Sequence, residues 1–320
     1  MEKLVIIDGN AILHRAYHAY PPLTNNKGMV INAVYGFFSM LFSIITEQKP
    51  EYLAVCFDMA APTFRKTLFV GYHANRVELP EDFVPQIVLV HEFLEKMKVG
   101  IFELEGYEAD DLIGTLATQA ATEKEIETVI VTGDRDMLQL VNGKVKVLMP
   151  LLGMTKTVLF DEKAVEEKYG VTTAQFIDYK ALIGDASDGY PGVTGIGPKG
   201  AANLLREYGT FENLYQNIPN LPEKIGVKLA TDAEQAALAK KLATIEVNVP
   251  TQFDIQKCKT SDFDIQSLRV AFLDQGFNTL TKRLDNVFGS SEKTTAVEQS
   301  LHTEEKEIEK KKSEQLGLLD

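Results

Sequence analysis

The chain has 320 residues, 45% hydrophobic and 25% charged, which suits a folded protein with room for two cores and offers no apolar run near the roughly 20 residues that cross a bilayer. Two cysteines outside any CxxC spacing, Cys56 and Cys258, and a strand-like N-terminus without a signal-peptide pattern set the expectation of a reduced, cytoplasmic protein without a membrane partner. The formal charge of −13 excludes a broadly basic nucleic-acid surface, although bound divalent cations would offset part of it.

Leu4–Ile7 is an apolar run ending in Asp8-Gly9-Asn10, the pattern of a buried parallel strand running into a turn. A helix carrying Arg15 is expected over 12–20 and an apolar helix over 33–47; 52–57 reads as a second buried strand ending in Asp58. Helices alternate with strands, so the expected class is α/β with a mainly parallel sheet. The window 63–76, TFRKTLFVGYHANR, holds Arg65, Lys66 and Arg76 and no acid. In so acidic a chain it is a candidate phosphate-contact surface, set against the plainer reading of a solvated amphipathic helix.

A helix over 84–98 and a short strand over 99–104 lead to Glu108-Ala109-Asp110-Asp111, the start of a helix with apolar Leu112, Ile113, Leu116 and Ala117. One or two acids suit a helix's first turn, but three close together repel one another unless something positive joins them. A strong strand over 128–131 then ends in Thr132-Gly133-Asp134-Arg135-Asp136. Ligand sites in parallel sheets lie beyond the strands' carboxyl ends, and a lone aspartate there usually caps the next turn. Asp8, Asp58, the Glu108 cluster and the Asp134/Asp136 pair all fall at such ends, which points to oxygen ligands for Mg²⁺ or Mn²⁺.

The segments 145–148 and 157–160 read as a hairpin around Gly153, and near residue 170 the pattern turns mostly helical, over 173–183, 199–208 and 232–245. Between the first two helices lies GDASDGYPGVTGIGPK, residues 184–199. Gly192, Gly195 and Gly197 permit close backbone approach, Pro198 suits a first helical turn, and Lys199 adds charge at a helix N-terminus that can face a phosphate. Asp185 and Asp188 offer ligands to a second cation. A closing strand and helices packing back on the body are expected over 253–288, followed by a disordered charged linker over 289–320.

The phrases VIIDGNAILHRAYHA, TFR, EADDLIGTLA, TGDRDMLQLV and DASDGYPGVTGIGPKGAANLL, in this order from about residue 3 to 288, resemble the 5′-nuclease (flap endonuclease-like) family, most closely the N-terminal 5′→3′ exonuclease domain of bacterial DNA polymerase I. The resemblance implies a PIN-like catalytic domain over 1–170 with an arch about 60–90, and a helical DNA-binding domain over 171–288 with a helix–three-turn–helix (helix-hairpin-helix) motif at 184–199. It implies a structure-specific 5′→3′ exonuclease and 5′-flap endonuclease, acting as a monomer on DNA with a flap, nick or free 5′ end in replication and repair. One metal group would be Asp8, Asp58, Glu108 and Asp110; a second would be Asp111, Asp134, Asp136, Asp185 and Asp188, with K⁺ at the hairpin. Arg76 would contact the scissile phosphate, and Arg15, Arg65, Lys66, Lys199 and the hairpin glycines would contact DNA.

The family commonly has Lys where this chain has His73, and imidazole is only partly charged near neutral pH, so weaker activity is expected above about pH 7. Tyr17 reads as a core aromatic rather than a base-stacking one. No polymerase sequence follows residue 288, which leaves a stand-alone exonuclease or a fragment; Gln315-Leu316-Gly317-Leu318-Leu319 favours the first, since it resembles the peptides that bacterial proteins dock into the sliding clamp, against the plain alternative of a frayed terminus. The competing readings are a PIN-like ribonuclease, disfavoured by the hairpin and its acids, and a catalytically weakened, clamp-tethered DNA-binding protein, disfavoured by the full set of carboxylates.

Overall fold

The computed structural model describes residues 2–74, 79–123, 126–152 and 156–289. Arg76 and the tail with Gln315, Leu316, Leu318 and Leu319 lie outside the described residues. The first half runs β1 (Lys3–Asp8), α1 (Gly9–Ala19), α2 (Asn32–Gln48), β2 (Tyr52–Cys56), α3 (Phe64–Leu68), α4 (Val84–Met97), β3 (Gly100–Phe102), α5 (Ala109–Glu123), β4 (Glu127–Val131), β5 (Val145–Leu152), β6 (Lys156–Phe160) and α6 (Glu162–Tyr169). The strands form one sheet in the order β3-β2-β1-β4-β5-β6, parallel throughout except for the β5–β6 hairpin.

The two-residue period of a strand divides β1 between two cores. Val5 and Ile7 face α2 and α4, packing with Phe37, Phe38, Phe42 and Phe93; Leu4 and Ile6 face α5, packing with Leu112, Ile113 and Leu116. Both faces are covered, which is why the strands read as continuous apolar runs. The apolar side of α5 is therefore fixed against the sheet, and its acidic first turn is left at the carboxyl edge of β1, β2 and β4.

After Gly170, whose φ of 72° ends α6, the chain continues as α7 (Phe176–Ile183), β7 (Gly184–Asp185), β8 (Tyr190–Pro191), α8 (Pro198–Tyr208), α9 (Phe211–Gln216), α10 (Glu223–Thr231), α11 (Ala233–Ala243), α12 (Ile265–Asp274) and α13 (Asn278–Phe288). A capping box between Thr172 and Gln175 starts the turn that leads into α7. Residues of α7 and α8 extend the core beneath α5.

Two expectations are corrected here. The basic window does not form a long helix: α3 covers Phe64–Leu68 only, and the backbone turns through 70–74, with His73 at φ 56°. No closing strand forms among the described residues of 253–262, because Asp254 takes the Gln256 N–H at 3.1 Å and starts a short 3₁₀ turn; the pairing is a lone Tyr52–Lys259 bridge. The helices α12 and α13 pack back on the body, as expected. Leu268, Phe272, Phe277, Leu280 and Leu284 join the core of α2 and α4.

Candidate active site

Asp8 ends β1, is 4% exposed, and caps α1 by accepting the Ala11 N–H at 2.9 Å. Its other oxygen accepts from Thr132 Oγ1 at 2.6 Å, just past β4. Thr132 Oγ1 in turn accepts the Asp134 N–H at 2.9 Å, and Asp134 Oδ1 accepts the Asp136 N–H at 2.8 Å. Asp58 follows β2 and accepts the Ala109 N–H at 2.7 Å, tying that strand end to the start of α5. Local caps thus place side chains from three strand ends, and the backbone start of α5, on one edge.

Their charges lie close enough to act on one another. Burial pushes Asp8 up to about 7, with the Asp58 and Asp134 charges adding to it against the hydrogen bonds from Thr132 and Ala11. Burial also raises Asp110 well above the carboxylate range, and Asp134, Asp8, Asp58 and Glu108 raise it further. Asp134 and Glu108 are raised as well, chiefly by burial. Among the described residues no Lys or Arg pairs with Asp8, Asp58 or Asp110.

The other end of the cluster sits on the short β7–β8 hairpin. One oxygen each of Asp136, Asp185 and Asp188 lies within 4.8 Å of the others. Lys180, on α7 and 6% exposed, brings Nζ to 2.5 Å from Asp136 Oδ1 and also contacts Asp185 Oδ2. Burial takes Asp136 to about 7 in spite of Lys180, whereas the opposing effect of Lys180 and Ser187 overrides burial at Asp185 and holds its carboxyl below the ordinary range. The His73 backbone N–H donates to the Asp188 carbonyl at 2.9 Å, and its Nε2 lies 3.0 Å from Asp188 Oδ1. Its ring stacks on Tyr72 with centroids 3.8 Å apart.

Two expected roles fail. Asp111 is fully buried and both oxygens are taken: Arg65 pairs with it in a fork at 2.7 and 2.8 Å, and the Glu246 and Glu108 N–H groups donate at 2.9 and 3.1 Å. It is therefore not placed as a metal ligand. Arg65, 2% exposed, also donates to the Leu242 and Thr244 carbonyls and lies 3.2 Å from Glu108 Oε2, so its guanidinium is committed to the interior and not to DNA. Lys66 and Lys199 remain exposed, and Arg15 is half-buried on α1. Tyr17 is likewise half-buried and bonds Asp82 at 2.8 Å.

The hairpin glycines differ in what they do. An added Cβ on Gly192 would come within 2.3 Å of the Gly184 nitrogen, so these two backbones touch. Gly195 has φ 74°, and its carbonyl accepts from Lys228 Nζ at 2.8 Å. Gly197 opens α8 with free space where a side chain would be. Sequence reasoning missed Lys180 and Tyr72, whose hydroxyl donates to Glu108 Oε2 at 3.0 Å. A lysine inside the otherwise apolar YKALI stretch, five residues before Asp185, was the available signal for the first.

Oxygen-only donors, the raised carboxyls of Asp8 and Asp110 crowded with no basic partner among the described residues, and the buried Tyr190 hydroxyl, which has no hydrogen-bond partner among the described residues and is raised by burial and then by Asp136, Asp185, Asp188 and Asp134, together fit hydrated hard divalent cations. The sequence profile of the 5′-3′ exonuclease N-terminal resolvase-like domain matches residues 3–170, and that of the 5′-3′ exonuclease C-terminal SAM fold matches 171–266. The chain belongs to the 5′-3′ exonuclease family. Within this family it is 41% identical over 284 residues to DNA polymerase I of Caldicellulosiruptor bescii, covering 88% of this chain and 33% of that protein. It is 37% identical to DNA polymerase I of Bacillus subtilis over 93% of this chain and 34% of the relative. The chain thus spans about a third of the length of these relatives. The fold of this exonuclease-family chain is similar to bacteriophage T5 flap endonuclease in a pseudo-enzyme–product complex with DNA and metal ions, with a TM-score of 0.64 and 21% identity over 89% of this chain and 99% of the other. It is also similar to the catalytic core of Rad2 in complex with DNA substrate, with a TM-score of 0.57 and 17% identity over 89% of this chain and 91% of the other.

Proposed function

We propose that this chain hydrolyses DNA phosphodiesters as a 5′→3′ exonuclease and 5′-flap endonuclease, removing flaps and RNA primers in the cytoplasm during replication and repair. The observation that carries the proposal is the convergence of Asp8, Asp58, Glu108, Asp110 and Asp134 on the strand-end edge beside Asp136, Asp185 and Asp188. The first five would hold one Mg²⁺ or Mn²⁺, and Asp136, Asp185 and Asp188, with Asp134 between the groups, a second. Bound there, such ions supply activation of water and neutralisation of the phosphate and the leaving oxygen, giving a 5′-phosphate and a 3′-hydroxyl. The protein's own part is to keep the carboxylates fixed through Thr132, Ala109 and the backbone caps, and to bring DNA to the edge.

The hairpin of β7, β8 and the start of α8 is the proposed helix-hairpin-helix grip, where the open surface at Gly197 and the exposed Lys199 would meet a duplex phosphate. Arg15, Lys66 and Arg76 would steer the 5′ strand beneath an arch over about 60–90, with His73 at its base on Asp188. A monovalent cation on the hairpin carbonyls would have to displace Lys228 from Gly195. The tail from Gln315 to Leu319 is proposed to dock the otherwise monomeric enzyme on a sliding clamp. The T5 relative's binding of DNA and metal ions supports the reading. Cleavage of labelled 5′ flaps, with DNA or RNA 5′ strands and Mg²⁺, tests it: cleavage of the flap is expected, and its absence with both strands overturns the proposal.

A further inference from the structure

Lys180 lies where the proposed site needs a positive charge. Helix α7 buries Phe176, Asp178, Tyr179, Lys180, Ala181 and Leu182, and a lysine at 6% exposure is kept inside only by partners. Asp178, two residues earlier, belongs to a different pair: it meets Lys240 at 2.7 Å and accepts the Phe211 N–H. Lys180 has instead been given Asp136 and Asp185, from two chain segments, and its Nζ sits between an oxygen of each. These are two of the three residues whose oxygens cluster within 4.8 Å. A cation bridging Asp136 and Asp185 would need the space that the ammonium fills.

We infer that Lys180 is a resident cation that holds Asp136 and Asp185 together and competes with a divalent ion for them, so that the two cation positions of this site fill with unequal affinity. The inference rests on the two-cation reading above and adds an order of filling. In the sheet-side group, Arg65 meets Glu108 at 3.2 Å, but Asp8, Asp58 and Asp110 have no such rival among the described residues and take the first ion. The hairpin-side group of Asp136, Asp185 and Asp188 takes the second only after the ammonium gives way. Lys180 is a positioning residue here, since it acts on the carboxylates and touches no reacting atom.

The test is Mn²⁺ titration of the full chain, followed by calorimetry and by electron paramagnetic resonance of free Mn²⁺. Wild type is expected to show one tighter and one weaker site. Lys180→Met and Lys180→Gln, the second keeping a hydrogen-bond donor without charge, should tighten the weaker site by about tenfold or more, because a fixed charge a few ångströms from a divalent ion is repulsive. Lys180→Arg should keep it weak. Thermal melting with and without Mn²⁺ confirms that each variant is folded, and the neutral variants should gain more from Mn²⁺ than wild type does. Unchanged or weaker second-site binding in both neutral variants overturns the inference while leaving the two-cation reading intact. No Mn²⁺ bound by wild type at all overturns that reading itself.

Discussion

The two ends of the carboxylate cluster solve the same problem in opposite ways. At the sheet end, Asp8, Asp58 and Asp110 crowd together with no basic partner among the described residues, and burial and mutual repulsion raise Asp8 and Asp110. At the hairpin end, Lys180 and His73 are set among Asp136, Asp185 and Asp188, and Asp185 falls below the usual carboxylate range. One end has no counter-charge of its own among the described residues; the other carries part of its counter-charge in the polypeptide. The difference teaches that a run of acids does not define a metal site until the interior cations have been placed.

The sharpest way to break this contrast is Asp110→Asn. We expect flap cleavage to fall by more than about 100-fold, beyond the effect of losing a mere supporting partner, while the metal-free protein melts higher because a repulsive charge has gone. A lower melting temperature in EDTA would show that Asp110 is compensated after all. Next in size is Arg65→Ala. It leaves Asp111 buried without its partner, costing about 3–5 kcal/mol, and Arg65→Ala combined with Asp111→Leu should recover a good part of the loss in a melting experiment. If the double variant is no better than the single one, Arg65 acts through Glu108 or the Leu242 and Thr244 carbonyls instead.

A smaller effect sharpens the comparison through pH. Asp8 and Asp136 titrate at about 7 in the fold against the ordinary 3.8, so the folded state binds more protons than the unfolded one between those values. Stability of the metal-free protein is therefore lost as pH rises from about 4 to 7. Divalent ions replace the protons, and the gain in Tm from Mg²⁺ should be larger at pH 8 than at pH 5 by roughly 3 °C or more; equal gains would contradict it. Smallest is Lys199→Ala, expected to weaken duplex binding with little sequence dependence and to reduce the salt slope by about one.

Much of this was legible in the chain before its fold. Each strand-end aspartate could be found because a buried parallel strand is a plain apolar run and its end is marked by polar residues, as at Asp8 and Asp58. Asp110 and Asp111 could not be told apart in that way. Adjacent helical residues point about 100° from each other, so one faces the edge and the other the interior, and which is which depends on Arg65, 46 residues away in sequence. Arg65 was misread for the same reason: a window with only positive charge resembles a DNA surface until the distant acid that neutralises one member is known. The missing closing strand had no local warning beyond Asp254, whose cap competes with extension.

Helices α12 and α13 close a core that the first strands and helices open. Phe272 meets Phe38 and Phe93 at ring separations of 5.2 and 5.1 Å, so the aromatic floor beneath the first strands is roofed by residues made more than 170 positions later. During synthesis, that floor stays open until residues near 288 have left the ribosome. A gene cut at residue 266, where the second family profile stops, would yield a chain with a greasy wound on the opposite face of the sheet from α5.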